Sequence, residues 1–480
     1  MINVRASLHV LSALLLFLAV SLVFPLAVSL IYGESTTVHY LTTIALAAGI
    51  GFLGYFTTKA TVELRIKDGF IIVTMGWIIF AAFGALPFYL SSAIPSYTDS
   101  FFETMSGFTT TGASILTEIE SLPHSLLFWR SFTHWLGGMG IILLSLAILP
   151  LLGIGGMQLF KAEVPGPSPD KLSPRIRETA KLLWFVYVLI TVVETALLMF
   201  ADMNLFDALC HSFGTVATGG FSTKNTSVAY YNSAWVDYIL TAFMVIAGIN
   251  FSLHYQCLNR RISYWKDEEF RFFIGIIFVA TLIIGVDVFY LNDFNFSKSL
   301  RETLFQVVSI ITTTGFGSAD YETWSTTSQL VLFVLMFIGG CAGSTGGGMK
   351  VVRILVLIKF CRAELKRMLH PQAVLPVRLG ERIVPRDIVS NIAGYFLIYM
   401  LLFAGGIIFM SSLGLDLPTS LGSVVATMSN IGPGLGGVGP TDNFAFIPTI
   451  GKWFLAFLML VGRLEIFTVM VLLSRSFWRR

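Results

Sequence analysis

Residues 99–114 read DSFFETMSGFTTTGAS, and three later stretches have the same build. They are DALCHSFGTVATGGFS at 207–222, SLRETLFQVVSIITTTGFGS at 299–318 and TSLGSVVATMSNIGPGLG at 419–436. Each is a modestly apolar segment, too short to cross a bilayer, that runs into a threonine- and glycine-rich tail. The shared core is a pair of residues followed by glycine: Thr110-Thr111-Gly112, Ala217-Thr218-Gly219, Thr313-Thr314-Gly315 and Asn430-Ile431-Gly432. The four glycines lie 107, 96 and 117 residues apart. An internal repeat of this kind decides the architecture before any single motif does.

The chain around the repeats is that of a membrane protein. Of its 480 residues 55% are hydrophobic and only 12% charged, whereas soluble domains carry about 25% charged residues. Crossing roughly 30 Å of hydrocarbon takes about 20 apolar residues in a helix. Segments near 7–32, 38–58, 70–90, 126–152, 182–201, 234–256, 272–291, 328–360, 391–412 and 450–474 fit that requirement, giving ten expected spans. With a cytoplasmic N-terminus, the inside segments 1–6, 59–69, 153–181, 257–271, 361–390 and 475–480, with Lys359 at a helix boundary, hold 23 of the 31 Lys and Arg. That asymmetry is what the positive-inside rule describes, and it puts both termini in the cytoplasm. The first apolar stretch is too long for a signal sequence and is read as a retained helix.

Each tail then falls on the outer side between two spans. A segment of about 12 residues can enter as a helix and stop near the midplane. Irregular backbone at that depth is tolerated only where protein surrounds it or it lines a water-filled path. Four tails converging on one axis meet that condition together. Glycine admits backbone angles that let successive carbonyls point one way, and a ring of carbonyls replaces the hydration shell of a cation. The C-termini of the four short helices favour a cation in the cavity below. Ordinary polar outer loops would explain one such stretch, but not four at matching places. The expected fold class is an all-α polytopic membrane protein: four span–dip–span repeats around one pore, preceded by two extra helices. Its units are 1–60, 61–160, 161–260, 261–372 and 373–480.

With these residues in view, the sequence resembles the Trk/Ktr/HKT superfamily of potassium transporters over essentially its whole length. The two additional N-terminal spans match the TrkH-type members of that superfamily. The resemblance implies K+ uptake across the bacterial inner membrane, with Thr110, Thr111, Gly112, Ala217, Thr218, Gly219, Thr313, Thr314, Gly315, Asn430, Ile431 and Gly432 forming a selectivity filter. Glycine in all four tails is the pattern of the K+-selective members. The fourth tail, Asn-Ile-Gly-Pro, departs furthest from the K+-channel sequence, so a filter with fewer or weaker ion sites is expected. The resemblance also implies a homodimer and a cytosolic nucleotide-binding regulatory ring of the TrkA type. The basic inside segments suit anionic lipids. No nucleic-acid partner and no organic cofactor of this chain are expected; the K+ is cargo.

The eighth span is interrupted at its centre by Gly339-Gly-Cys-Ala-Gly-Ser-Thr-Gly-Gly-Gly348. Glycine costs a helix about 1 kcal/mol per site relative to alanine. In the family an intramembrane loop at this place is a gate, which makes Gly346, Gly347 and Gly348 hinge candidates, with the positive Lys350 beside them. A kink filled by a neighbouring helix, with Lys350 snorkelling to the inner interface, is the alternative. Arg463 lies inside the last span, and an intramembrane charge is a functional candidate by default. It either faces the path below the tails, as the match to the family's last-helix arginine implies, or forms a buried pair with Glu194 or Asp287. Glu465, two residues on, points to another face. Outside, Asp99, Glu103, Glu118, Glu120, Asp207, Asp320, Glu322, Asp416 and Asp442 form either an acidic mouth or solvated loop charge.

Other chemistry finds no seat. Four scattered cysteines and seven scattered histidines give no metal or redox spacing. The run 343–350 misses the phosphate-loop spacing because Met349 separates the glycines from Lys350, and 434–439 is followed by Pro440 with no βαβ unit around it. No enzyme is expected. A K+/H+ or K+/Na+ symporter is the alternative to a gated pore.

Overall fold

The structure is a computed structural model. It describes residues 3–58, 65–151, 176–258 and 264–479, apart from the side chains at 66, 139, 141–151 and 176–180. Most of the basic segment 153–181, and parts of 59–69 and 257–271, lie outside the described residues.

Six described helices are long and apolar enough to cross a membrane: Val4–Ile31, Thr37–Thr57, Lys67–Leu90, Lys181–Phe200, Glu268–Leu291 and Arg386–Ser412. A seventh crossing results if Ala234–Gly248 and Phe251–Cys257, bent by 100°, are one span. The other three expected spans are present as helix. The segment 126–152 lies in the 28-residue helix His124–Leu151, whose last part has no described side chains. In 328–360 the helix stops at Leu335 and resumes at Val351, on a segment rich in Lys and Arg. In 450–474 the helix Thr449–Arg463 breaks before Phe467–Leu473, where Glu465 and Ile466 both adopt positive φ.

The N-terminal hairpin turns at Gly33, whose φ of 65° suits glycine, and it is pinned to the rest of the molecule by polar atoms. Glu34 accepts hydrogen bonds from the backbone N–H groups of His124 and Ser125, satisfying two free donors at the start of the helix His124–Leu151. The Tyr40 hydroxyl donates to the Ser125 carbonyl at 3.0 Å.

Between the long helices lie four short ones: Tyr97–Phe108, Leu205–Val216, Phe296–Ile311 and Leu417–Met428. Ser96, Asn204 and Asn295 cap the first three by accepting from the backbone N–H three residues on. The fourth starts at Asp416 with Pro418 in its first turn, where proline's missing N–H is harmless. From Ser100 to Phe108 every residue of the first is buried, and the second halves of the other three are buried in the same way. A helix buried all round sits inside protein, not on its surface.

Candidate functional site

Each short helix ends in the same turn. Thr110, Thr218, Thr313 and Asn430 have φ of 51°, 54°, 59° and 55°, and two residues later Gly112, Gly220, Gly315 and Gly432 have φ of 82°, 81°, 80° and 99°. The hydrogen bonds repeat too: the N–H groups of Thr111, Gly219, Thr314 and Ile431 donate to the carbonyls of Ser106, Gly214, Ser309 and Ala426. This fixes the register and corrects the sequence alignment at one place. In the second tail it is Gly220, not Gly219, that occupies the position of Gly112, and Gly219 stands where the others carry Thr111, Thr314 and Ile431. Ala217, grouped with Thr110 from sequence, corresponds to Thr109.

The four tails close on one another in chain order. A Cβ placed on Gly112 would strike the Gly219 carbonyl; on Gly220, the Thr314 carbonyl; on Gly315, the Ile431 carbonyl; and on Gly432, the Thr111 carbonyl. Each glycine thus faces the carbonyl preceding the glycine of the next tail, and the fourth returns to the first. Two constraints coincide at these positions, positive φ and a neighbouring backbone within the volume of a methyl group, and only glycine satisfies both. Gly219 answers to a different constraint: its Cβ would meet the His134 ring.

The residues following the glycines seal the ring from behind. Phe221 lies under Arg130, whose guanidinium carbon is 3.6 Å from the ring centre, and against His134. Phe316 stacks on His211 at 5.6 Å. Pro433 abuts Gly315. In each case the residue leans on the preceding tail or its supporting helix.

The ring is not four-fold in its chemistry. Thr109 with Thr111, and Thr312 with Thr314, pair their hydroxyls at 2.8 Å. Asn430 replaces the threonine of the other tails and donates from Nδ2 to the Thr111 hydroxyl and the Met459 carbonyl, both at 2.9 Å. Thr110 Oγ1 and Asn430 Oδ1 are buried with no hydrogen-bonding partner among the described residues.

The glycine-rich segment 336–350 folds directly beneath this ring. The Thr345 hydroxyl donates to the Val216 carbonyl at 2.9 Å, and the Gly347 N–H donates to the Thr313 hydroxyl at 2.6 Å. A Cβ on Gly347 would also collide with the Ser429 carbonyl. The segment therefore touches the ends of the second, third and fourth short helices. From below, Glu269 Oε1 accepts from the N–H groups of Ala342 at 2.7 Å and Val352 at 3.1 Å, holding both limbs. Gly348 has positive φ, while Gly346 and Gly347 do not. Lys350 is buried and its ammonium donates to the Gly346 carbonyl; it folds back on the segment and does not snorkel.

Arg463 completes the underside. Its Nη1 donates to the Thr345 carbonyl at 2.7 Å and its Nη2 to the Gly137 carbonyl at 3.2 Å. The expected alternative of a pair with Glu194 or Asp287 does not form. Asp287 accepts from Ser325 and Ser328, and neither Glu194 oxygen has an ion-pair partner among the described residues. Glu465 pairs instead with Arg353, which also stacks on Tyr395.

Several acidic residues expected at an outer mouth have structural work. Glu103 is buried against Arg130, Asp99 pairs with Lys452 at 2.6 Å, and Asp207 binds Thr223 and Lys224. Glu322 accepts from the Gly436 N–H, and partial burial raises its pKa. No group of three or more metal-ligating side chains occurs among the described residues.

Known proteins match this chain end to end. Residues 35–480 match the model of a family described as TrkH, cation transport protein. The chain is 44% identical over 481 residues to the Trk system potassium uptake protein TrkH of Escherichia coli K12, covering 99% of each. It is 43% identical to the TrkH of Halomonas elongata over the full length of both, and 35% identical to the E. coli potassium uptake protein TrkG, covering 99% of each. The crystal structure of the potassium transporter TrkH from Vibrio parahaemolyticus superposes with a TM-score of 0.91 at 38% identity, covering all of both chains.

Proposed function

This chain belongs to the TrkH family of cation transport proteins, transporters and not enzymes, and we propose from that premise that it takes up K+ across the bacterial inner membrane through a gated pore. The observation that carries this reading is the closed ring, in which each of Gly112, Gly220, Gly315 and Gly432 faces the next tail's carbonyl. Carbonyls held by neighbouring backbone present oxygen to a dehydrated ion without reorganising. The filter comprises Thr110, Thr111, Gly112, Thr218, Gly219, Gly220, Thr313, Thr314, Gly315, Asn430, Ile431 and Gly432, with Ala217 one step below.

The segment 336–350 is the gate in this reading. Its bonds to Val216 and Thr313 keep it under the ring, and Arg463 and Lys350 add positive charge where a cation would leave. Opening requires that these bonds break together, so control is a matter of a few hydrogen bonds. The curated relatives are named as parts of a Trk system; a TrkA-type nucleotide-binding ring on the cytoplasmic face, a homodimer and anionic lipids are the partners proposed here. The four-repeat division and cytoplasmic termini belong to the same proposal.

Uptake of 86Rb+ into proteoliposomes of the purified protein tests it. Uptake should follow a K+ gradient with pH and Na+ equal on both sides. Uptake that requires an H+ or Na+ gradient would establish the symporter instead.

A further inference from the structure

The ninth residue before each ring glycine is Glu103, His211, Gln306 or Ser423, and in three of the four it braces the short helix against its own outgoing strand. Glu103 accepts from the Ser114 hydroxyl and the Ile115 N–H, both at 2.9 Å. His211 Nε2 bonds the Ser222 hydroxyl at 2.9 Å, and Gln306 Nε2 donates to the Ala319 carbonyl at 2.9 Å. In the fourth tail the small Ser423 makes no such brace, and the strand is held from outside by Tyr321, which donates to the Gly434 carbonyl at 2.6 Å.

Only the first brace is ionic. Arg130 Nε donates to Glu103 at 2.6 Å, and the two side chains are 3% and 1% exposed. Arg130 also donates from Nη1 to the Ser222 carbonyl at 2.8 Å and covers the face of Phe221. One turn later on the same helix, His134 Nδ1 is 2.8 Å from the Gly107 carbonyl, and its Nε2 accepts from the Phe221 N–H at 3.3 Å. The first and second tails are thus linked through one helix, with a buried charge pair at the centre.

We propose that Arg130 and Glu103 are positioning residues for ion selection. They set the separation of the first two tails and so the size of the ring, without touching the ion. The inference rests on the filter reading above. A buried pair is weak evidence for stability, since well-packed apolar residues often do as well. What it supplies here is direction: the carboxylate fixes Ser114 and Ile115, and the guanidinium fork fixes Ser222, geometry that an ammonium cannot copy.

The test compares 86Rb+ with 22Na+ uptake in proteoliposomes for Arg130→Lys, Ser114→Ala and Gly112→Ser, with monodispersity of each protein checked by size exclusion. Arg130→Lys keeps the charge beside Glu103 but loses the reach to Ser222; Ser114→Ala removes one brace bond and unpairs no charge. Losing one such bond corresponds to about 2-fold to 10-fold in an equilibrium, so the Rb+ over Na+ ratio should fall about 2-fold in Ser114→Ala and about 5-fold in Arg130→Lys, with Na+ uptake rising. An unchanged ratio in folded Arg130→Lys and Ser114→Ala, with a reduced ratio in Gly112→Ser, overturns the brace and spares the filter. An unchanged ratio in all three overturns both. Should Arg130→Lys fail to fold, the ratio in Ser114→Ala decides.

Discussion

The Gly347 N–H donates to the Thr313 hydroxyl at 2.6 Å, so the segment that interrupts the eighth span is bonded to the third tail itself. On the proposed reading, gate and filter are then a single hydrogen-bonded body. Loosening one side of that body is expected to show in flux before it shows in selectivity.

Thr345 offers the mildest way to loosen it. Its hydroxyl donates to the Val216 carbonyl, with the Ala247 carbonyl 3.3 Å away, and the side chain is fully buried. Thr345→Val keeps the shape and removes these bonds. A net hydrogen bond contributes about 0.5–1.5 kcal/mol, or about 2-fold to 10-fold in the closed-to-open ratio. Basal 86Rb+ uptake should rise by that factor, with the Rb+ over Na+ ratio unaltered.

Glu269 holds the segment from the opposite side through one oxygen that accepts from both Ala342 and Val352. Glu269→Ala leaves two buried N–H groups without an acceptor, whereas Glu269→Gln retains an amide oxygen in the same place. Basal uptake should therefore increase in the order wild type, Gln, Ala. Equal uptake in all three would mean that Glu269 does not restrain the segment.

Arg463 adds charge as well as two hydrogen bonds. A unit charge acts on another about 8 Å away with on the order of 2 kcal/mol at an effective dielectric of about 20. Arg463→Gln should raise cation uptake by at least about 5-fold on that scale, because an amide can still donate to the Thr345 carbonyl while the barrier is gone. A neutral variant with wild-type uptake would remove Arg463 from the gate.

The two glycines of the second tail should behave differently. A Cβ at Gly220 meets the Thr314 backbone and demands positive φ, so Gly220→Ala should lose ion discrimination whatever surrounds it. A Cβ at Gly219 meets the His134 ring first, so a Gly219→Ala defect should be at least partly relieved by His134→Ala. Relief of Gly220→Ala by the same second change would put the register back where the sequence alignment had it.

That register shows how far residues alone carry the account. Threonine–glycine tails at four matching places are visible because special backbone angles restrict the choice of residue. Ala217-Thr218-Gly219-Gly220 nonetheless offers two glycines, and a pattern of two residues then glycine stops at the first. The positive φ of Gly220 and the bonds of Thr111, Gly219, Thr314 and Ile431 to their short helices separate them. Arg463 was legible as a buried charge, expected either to face the path below the tails or to pair with a carboxylate. It takes the carbonyls of Thr345, in the interruption of the eighth expected span, and of Gly137. The breaks at Asn250 and Glu465 each follow a glycine, Gly248 and Gly462, but neither could be read from hydropathy. Glu103, His211, Gln306 and Ser423 were within reach, since a common spacing from the ring glycine links them; Glu103 was instead grouped with the outer acids.

The central claim is that the ring bounded by the Thr111, Gly219, Thr314 and Ile431 carbonyls holds the transported ion. Anomalous diffraction from crystals of the protein grown in RbCl addresses it directly. The account predicts an anomalous peak on the axis between the four tails, within contact of those carbonyls. Rubidium bound elsewhere in the protein, with no peak inside the ring, would contradict it.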